Sequence, residues 1–334
     1  MNFTEAQITD EVLRLKTPLT RVGWSLADIE LIAPLTLEIN AIKKEKKAII
    51  LAHSYQTPDI MYGVADFIGD SYGLSMLSTS VPCEKIIFCS VHFMAETAKI
   101  LNPEKEVIVP AISGCSLAES ITPEDIRALR KAHPKAGVVC YVNTTAATKA
   151  ECDACCTSSN ALKIVEGLPQ DEIIFVPDEF MAKNLQPLTK KKIIGWKGRC
   201  IVHETFTPEA VEEVRAAYPG VKILAHTECS PSIIEKVDMA GGTEAMLSYV
   251  KNSPDEKFMV ITECGITDRM QAELPQKKVV GTCALCPYMK KIMLKDILQA
   301  LKSPRPDQIT TLDETVRAKA EKSIRKMIEL AEKN

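Results

Sequence analysis

The chain has 334 residues, 46% hydrophobic and 25% charged, with a net charge of −3. These values suit a globular protein of two or three small domains and give no nucleic-acid signal. No apolar stretch reaches membrane-spanning length and the start, with Glu5, Asp10 and Glu11, lacks a signal-peptide core, so a cytoplasmic location is expected.

Residues 1–35 read as a helical N-terminal extension. Beyond them strand and helix patterns alternate, with strands expected at 48–52, 85–89, 106–109, 137–141, 172–176, 221–225 and 258–261. That alternation predicts an α/β fold.

The first strand ends in His53-Ser54-Tyr55, and Gly69-Asp70-Ser71 follows as a helix start. Next comes Cys115, which opens Cys-Ser-Leu-Ala-Glu-Ser-Ile-Thr-Pro-Glu. The segment recurs from Cys200 as Cys-Ile-Val-His-Glu-Thr-Phe-Thr-Pro-Glu. Thr122-Pro123 and Thr207-Pro208 both read as a helix start, with Thr as N-cap and Pro in the first turn. The helix stripes stay in step, Ile126 and Leu129 matching Val211 and Val214. The strands that follow end in Tyr141-Val142-Asn143 and His226-Thr227-Glu228, separated by the same interval as the two cysteines.

Strand C-terminal ends line the ligand crevice of a parallel sheet, and residues i and i+2 share a face. Each repeat therefore offers two polar side chains together: His53 with Tyr55, Tyr141 with Asn143, His226 with Glu228. Ser71, Ser158 and Thr243 follow these pairs at a nearly constant distance along the chain, each at an expected helix start. A hydroxyl beside free N–H groups there can hold an anion, so three suggest a ligand with several negative groups. His92 and His133 fall outside the triplicated frame, and the lysine clusters at 43–47 and 190–192 read as solvated surface.

A third cysteine, Cys286, continues the interval set by Cys115 and Cys200 to within one position and leads a basic apolar helix over 289–301. The organisation expected is an extension over 1–35, repeats over 36–114, 115–199 and 200–285, and a segment over 286–334 docking on the first repeat. The fold class is three similar three-layer α/β/α domains, an internal triplication around a pseudo-threefold axis.

Twelve cysteines in a chain expected inside the cell argue for thiols and metal rather than disulfides. Cys115, Cys200 and Cys286, one from each of three loops, would suit an iron–sulfur cluster held by three cysteines. A fourth iron would stay open as a Lewis acid for loss of water or hydroxide. A zinc site from Cys152/Cys155 and Cys283/Cys286 is the rival constellation, weakened by the separation of the two motifs. Cys83, Cys89, Cys140, Cys229 and Cys264 read as small core residues.

These segments, with Phe93-Met94-Ala95-Glu96, Cys156-Thr157-Ser158-Ser159-Asn160-Ala161, Val202-His203-Glu204 and Cys286-Pro287-Tyr288-Met289-Lys290, closely resemble the quinolinate synthase (NadA) family. The resemblance implies an oxygen-sensitive [4Fe–4S] cluster on Cys115, Cys200 and Cys286. It implies condensation of iminoaspartate with dihydroxyacetone phosphate to quinolinate, in NAD biosynthesis, with loss of phosphate and two waters. By position, His53, Tyr55, Tyr141, Asn143, His203, His226 and Glu228 match the active-site shell, and Ser71, Ser158 and Thr243 the anion-holding hydroxyls. Gly242 departs from the serine expected before the threonine. The Cys-Pro-x-Met-Lys context selects Cys286 over Cys283. An L-aspartate oxidase or dehydrogenase would supply the imine. Another [4Fe–4S] hydro-lyase, a non-catalytic iron–sulfur redox or sensor protein and a zinc-binding structural protein are the alternatives from other classes.

Overall fold

A computed structural model describes residues 2–332. Among these, the strands form three parallel sheets of four. The first comprises β1 (Ala48–His53), β2 (Phe67–Gly69), β3 (Lys85–Cys89) and β4 (Glu106–Ile108). The second comprises β5 (Gly137–Tyr141), β6 (Ala154–Cys156), β7 (Glu172–Val176) and β8 (Lys192–Gly195). The third comprises β9 (Lys222–His226), β10 (Met239–Gly241), β11 (Lys257–Ile261) and β12 (Lys278–Val279).

Each sheet has the same order, β2-β1-β3-β4, β6-β5-β7-β8 and β10-β9-β11-β12. The central strands are continuous apolar runs because helices cover both of their faces. The molecule is thus α/β, with three similar α/β/α units.

The outer strands β2, β6 and β10 are very short, too short to pair on hydrophobic pattern alone. One device holds all three in register. Asp66, Asp153 and Asp238 each stand just before the short strand. Each accepts a backbone N–H from the neighbouring strand, of Ile50 at 2.8 Å, Val138 at 2.7 Å and Ile223 at 2.8 Å. A cation backs each carboxylate: Lys43, Arg130 and Arg215.

The expected helices at Thr122 and Thr207 are present as Pro123–Ala132 and Pro208–Ala217, capped by those threonine hydroxyls. The third copy differs from expectation. Met289–Lys291 is a single tight turn, Ile292 and Met293 are extended, and the helix proper is Leu294–Lys302. The break lets Ile292 bury in the first repeat's core beside Ile50 and Ile87, which Leu294 and Ile297 also join. This helix therefore covers the first sheet.

The rest of the C-terminal segment goes elsewhere. Helix Glu314–Glu332 buries Ala320, Ile324, Met327 and Leu330 in the second repeat's core, rather than the first. The N-terminal extension also runs longer than expected. Helices Glu5–Arg21 and Leu26–Glu45 fill it, the second continuing through Pro34 because its buried stripe of Ile29, Ala33, Thr36 and Ile39 is unbroken. No described helix is long and apolar enough to cross a membrane.

Candidate active site

The C-terminal ends of β1, β5 and β9 face one cavity. Its lining includes His53, Tyr55, Ser71, Cys115, Tyr141, Asn143, Ser158, Cys200, His203, His226, Glu228, Thr243 and Cys286. Every residue singled out in the sequence as a site residue thus borders a single space.

Two strand ends share a local design. The Tyr55 N–H donates to His53 Nδ1 at 3.1 Å, and the Glu228 N–H donates to His226 Nδ1 at 3.3 Å. With Nδ1 accepting, each neutral ring carries its proton on Nε2. Burial, with the nearby His226, Lys290 and Arg269 charges, lowers His53 to about 3. Burial also lowers His226 to about 4, against the opposing pull of Glu228. Both imidazoles are neutral at pH 7.

Glu228 is held by one residue of the second repeat and one of the third. Tyr141 donates its hydroxyl to Glu228 Oε1 at 2.7 Å, and His203 Nδ1 lies 2.8 Å from Oε2. Burial opposes ionisation here, but the His226 and His203 rings and these hydrogen bonds outweigh it, holding the carboxyl well below its usual range. His203 also stacks on His226, with ring centroids 4.8 Å apart.

Sequence reasoning missed Thr262. This fully buried residue places its hydroxyl 2.8 Å from His203 Nε2 and 2.8 Å from the Tyr55 hydroxyl. The Tyr55 hydroxyl also lies 3.1 Å from Thr243 Oγ1. In the His203 tautomer that donates from Nδ1 to Glu228, Nε2 accepts from Thr262, and Thr262 in turn accepts from Tyr55. One hydrogen-bond chain then runs from Tyr55 to Glu228 and joins the first repeat to the third. Thr262 follows β11 directly, so the strand-end rule was the available signal.

The hydroxyls expected to hold anions are less uniform than their spacing. Ser71 and Thr243 begin helices Ser71–Ser80 and Thr243–Asn252. Ser158 does not begin one: Asn160 accepts the Thr157 N–H at 2.7 Å, closing a turn, and the helix starts at Ala161. Gly242 also has a local reason, since a Cβ there would lie 2.4 Å from Ser158 Oγ. Asn143 Oδ1 is buried without a partner among the described residues, and its residue lines the cavity, leaving it available to a ligand. Behind it, the fully buried Lys149 donates to the carbonyls of Val142 and Thr144 and so fixes the loop on both sides of Asn143.

Cys115, Cys200 and Cys286 line the cavity from three separate loops. As thiolates they would repel one another, Cys286 acting on Cys115 and Cys115 on Cys200. Burial pushes the Cys115 thiol up to about 12 and raises the other two, so a bound cation would be needed to hold them as thiolates. Three soft donors lining one cavity fit an iron–sulfur cluster. Cys200, His203 and Glu228 also place ligand atoms within 4.8 Å of one another. Both His203 nitrogens are already engaged, which favours the hydrogen-bond network over a mononuclear metal.

The remaining cysteines correct the sequence reading in one respect. Cys264, expected as a core thiol, is joined to Cys283 in a disulfide, because the first turn of helix Cys264–Glu273 lies against the Cys283–Cys286 loop. Cys155 is buried beside Cys140 and Ser323, outside the cavity lining, so the rival zinc constellation is not assembled.

Comparison with known proteins gives the family of the chain. The NadA family, quinolinate synthetase A protein, matches residues 37–329. The chain is 44% identical to quinolinate synthase 1 of Mesorhizobium japonicum over 326 residues, 97% of this chain and 98% of the relative. It is 43% identical to a quinolinate synthase of Caulobacter vibrioides, over 98% of this chain and 88% of the relative. A quinolinate synthase of Sinorhizobium fredii is 46% identical over 89% of this chain and 83% of its own.

Proposed function

We infer from this chain's membership of the NadA family, to which it belongs, that it is an enzyme of the quinolinate synthase type, acting in NAD biosynthesis. The reaction we assign is condensation of iminoaspartate with dihydroxyacetone phosphate to quinolinate, releasing phosphate and two waters. The observation that carries it is the single cavity in which the Tyr55–Thr262–His203–Glu228 chain meets three cysteine thiols.

Held by Cys115, Cys200 and Cys286, a [4Fe–4S] cluster would supply Lewis-acid chemistry for departure of a hydroxyl as water. The protein's own groups account for the proton movements. Glu228, ionised and fixed by Tyr141 and His203, takes a proton from the carbon beside the triose carbonyl. Tyr55 stays protonated because burial raises its hydroxyl, so on turning from Thr262 it donates to an oxygen of the intermediate. Such general acid–base steps each contribute about 10²–10⁴ in rate. The neutral His53 and His226 present Nε2–H donors to carboxylate or carbonyl oxygens. Asn143 Oδ1 accepts from the intermediate's N–H or hydroxyl. Ser71, Ser158 and the helix start at Thr243 receive the carboxylates and the phosphate. A cytoplasmic setting, with an L-aspartate oxidase or dehydrogenase as imine source, completes the reading.

Anaerobic purification with an iron count and a quinolinate assay, on the natural sequence and on Cys286→Ser, tests it. About four irons and quinolinate formation, both lost or crippled in the variant, are expected. A colourless, iron-free protein, or one that holds iron but makes no quinolinate, overturns it.

A further inference from the structure

The three cysteine turns are related by the repeat, yet they are not held alike. Behind the Cys200 turn, Asp178 pairs its backbone with Gly198; behind the Cys286 turn, Glu263 pairs with Ala284 in the same way. Asp178 and Glu263 occupy matching positions of the second and third repeats, and both cap the helix that follows them. They differ by one methylene, and that methylene changes what the carboxylate reaches.

Glu263 is fully buried. Its Oε2 accepts the Gly265 N–H at 2.6 Å, and its Oε1 accepts the Cys286 N–H at 3.1 Å. Lys290 Nζ lies 3.0 Å from that same Oε1 and donates to the Tyr55 carbonyl at 2.6 Å. One ion pair thus ties the backbone of Cys286 to the strand end that carries Tyr55. Asp178, also fully buried, caps Met181 with Oδ1 at 2.9 Å, while Oδ2 has no hydrogen-bond partner among the described residues. At the position matching Lys290 the second repeat has Glu204, so it has no cation to complete such a pair.

We propose that Glu263 and Lys290 are positioning residues that preorganise the Cys286 turn for the metal centre and lock it to Tyr55. This rests on the three-cysteine reading given above. A buried carboxylate accepting a backbone N–H and an ammonium together makes charge-assisted bonds, stronger than neutral ones. The third cysteine needs them most, because its turn belongs to a segment that leaves the third repeat to cover the first.

The test is iron release from the anaerobically purified holoenzyme to an excess of a ferrous chelator, followed by absorbance. Glu263→Asp retains the helix cap, as Asp178 does in the second repeat, but withdraws the carboxylate from the Cys286 N–H. About tenfold faster release is expected, the factor carried by one charge-assisted hydrogen bond. Thermal unfolding should stay that of a folded protein. Should Glu263→Asp not fold, Lys290→Met carries the same expectation. Release within twofold of the natural sequence, from a folded variant with its full iron, overturns the proposal and leaves the cluster reading standing. A natural-sequence protein without iron overturns both.

Discussion

The Tyr141 hydroxyl donates to Glu228 Oε1 across 2.7 Å, joining the end of β5 to the residues just after β9 inside the cavity. Replacing it by Tyr141→Phe removes a charge-assisted hydrogen bond of about 1.5–3 kcal/mol. We expect kcat/KM for quinolinate formation to fall about 10- to 100-fold with the iron content intact. Steady-state kinetics checks this; an unchanged kcat/KM would remove Tyr141 from the positioning of the base.

Thr262 touches Tyr55 on one side and His203 on the other. Thr262→Val keeps its shape and deletes only the hydroxyl that connects them. A drop in kcat of about 10- to 100-fold is expected, because the acid and the base lose their shared orientation. Thr262→Ser should recover most of it. If valine and serine behave alike, the hydroxyl is not part of the machinery.

His53 and His226 are held neutral by burial, near 3 and 4. Their unfolded forms take up protons near pH 6.5. Between these values the unfolded chain binds more protons than the folded one, so stability is full above about pH 6.5 and falls as pH drops toward 4. The depressed carboxyl of Glu228 acts in the same direction below about pH 4.5. Denaturant melts of the metal-free protein from pH 8 to pH 5 should show a declining midpoint. A midpoint that rises on acidification would contradict the assignment of neutral buried imidazoles.

Lys149 has no exposure, and its ammonium satisfies two carbonyls flanking Asn143. Lys149→Met leaves the Thr144 carbonyl without its partner, while Val142 keeps the Thr144 N–H, at a cost of about 1–3 kcal/mol. Equilibrium denaturation should show that loss, together with a raised KM as Asn143 loses its fixed direction. A loss under about 0.5 kcal/mol, the size of an ordinary surface substitution, would mean that water or the loop itself replaces the ammonium without penalty.

The triplication was legible because it is written at several levels at once. The Thr-Pro helix starts, the strand ends and the cysteines all recur at one spacing. The strand ends His53/Tyr55, Tyr141/Asn143 and His226/Glu228 therefore led to the cavity through elementary sheet geometry. The edge strands β2, β6, β8, β10 and β12 were not legible, because they are short and partly polar. For β2, β6 and β10 the register comes from Asp66, Asp153 and Asp238 rather than from an apolar run. Thr262 was hidden for another reason: its repeat mate is Pro177, so the threefold pattern gives no hint of a hydroxyl there. The Cys264–Cys283 bond depends on two segments meeting in space, and spacing alone does not reveal that.

The helix Leu294–Lys302 covers a sheet whose first strand starts at Ala48. The first sheet therefore waits, one face only partly sheltered by Ile39, Ile42 and Ile60, while two further repeats are made. At about 5–20 residues per second, the roughly 250 residues between them represent about 10–50 s of synthesis. The repeats look like beads that could fold one after another, but they are linked as a clasp. A nascent first repeat depends on residues not yet joined to it. Maturation is thus timed by the last part of the chain, and a ribosome stalled before residue 294 would display an apolar surface for chaperones to hold.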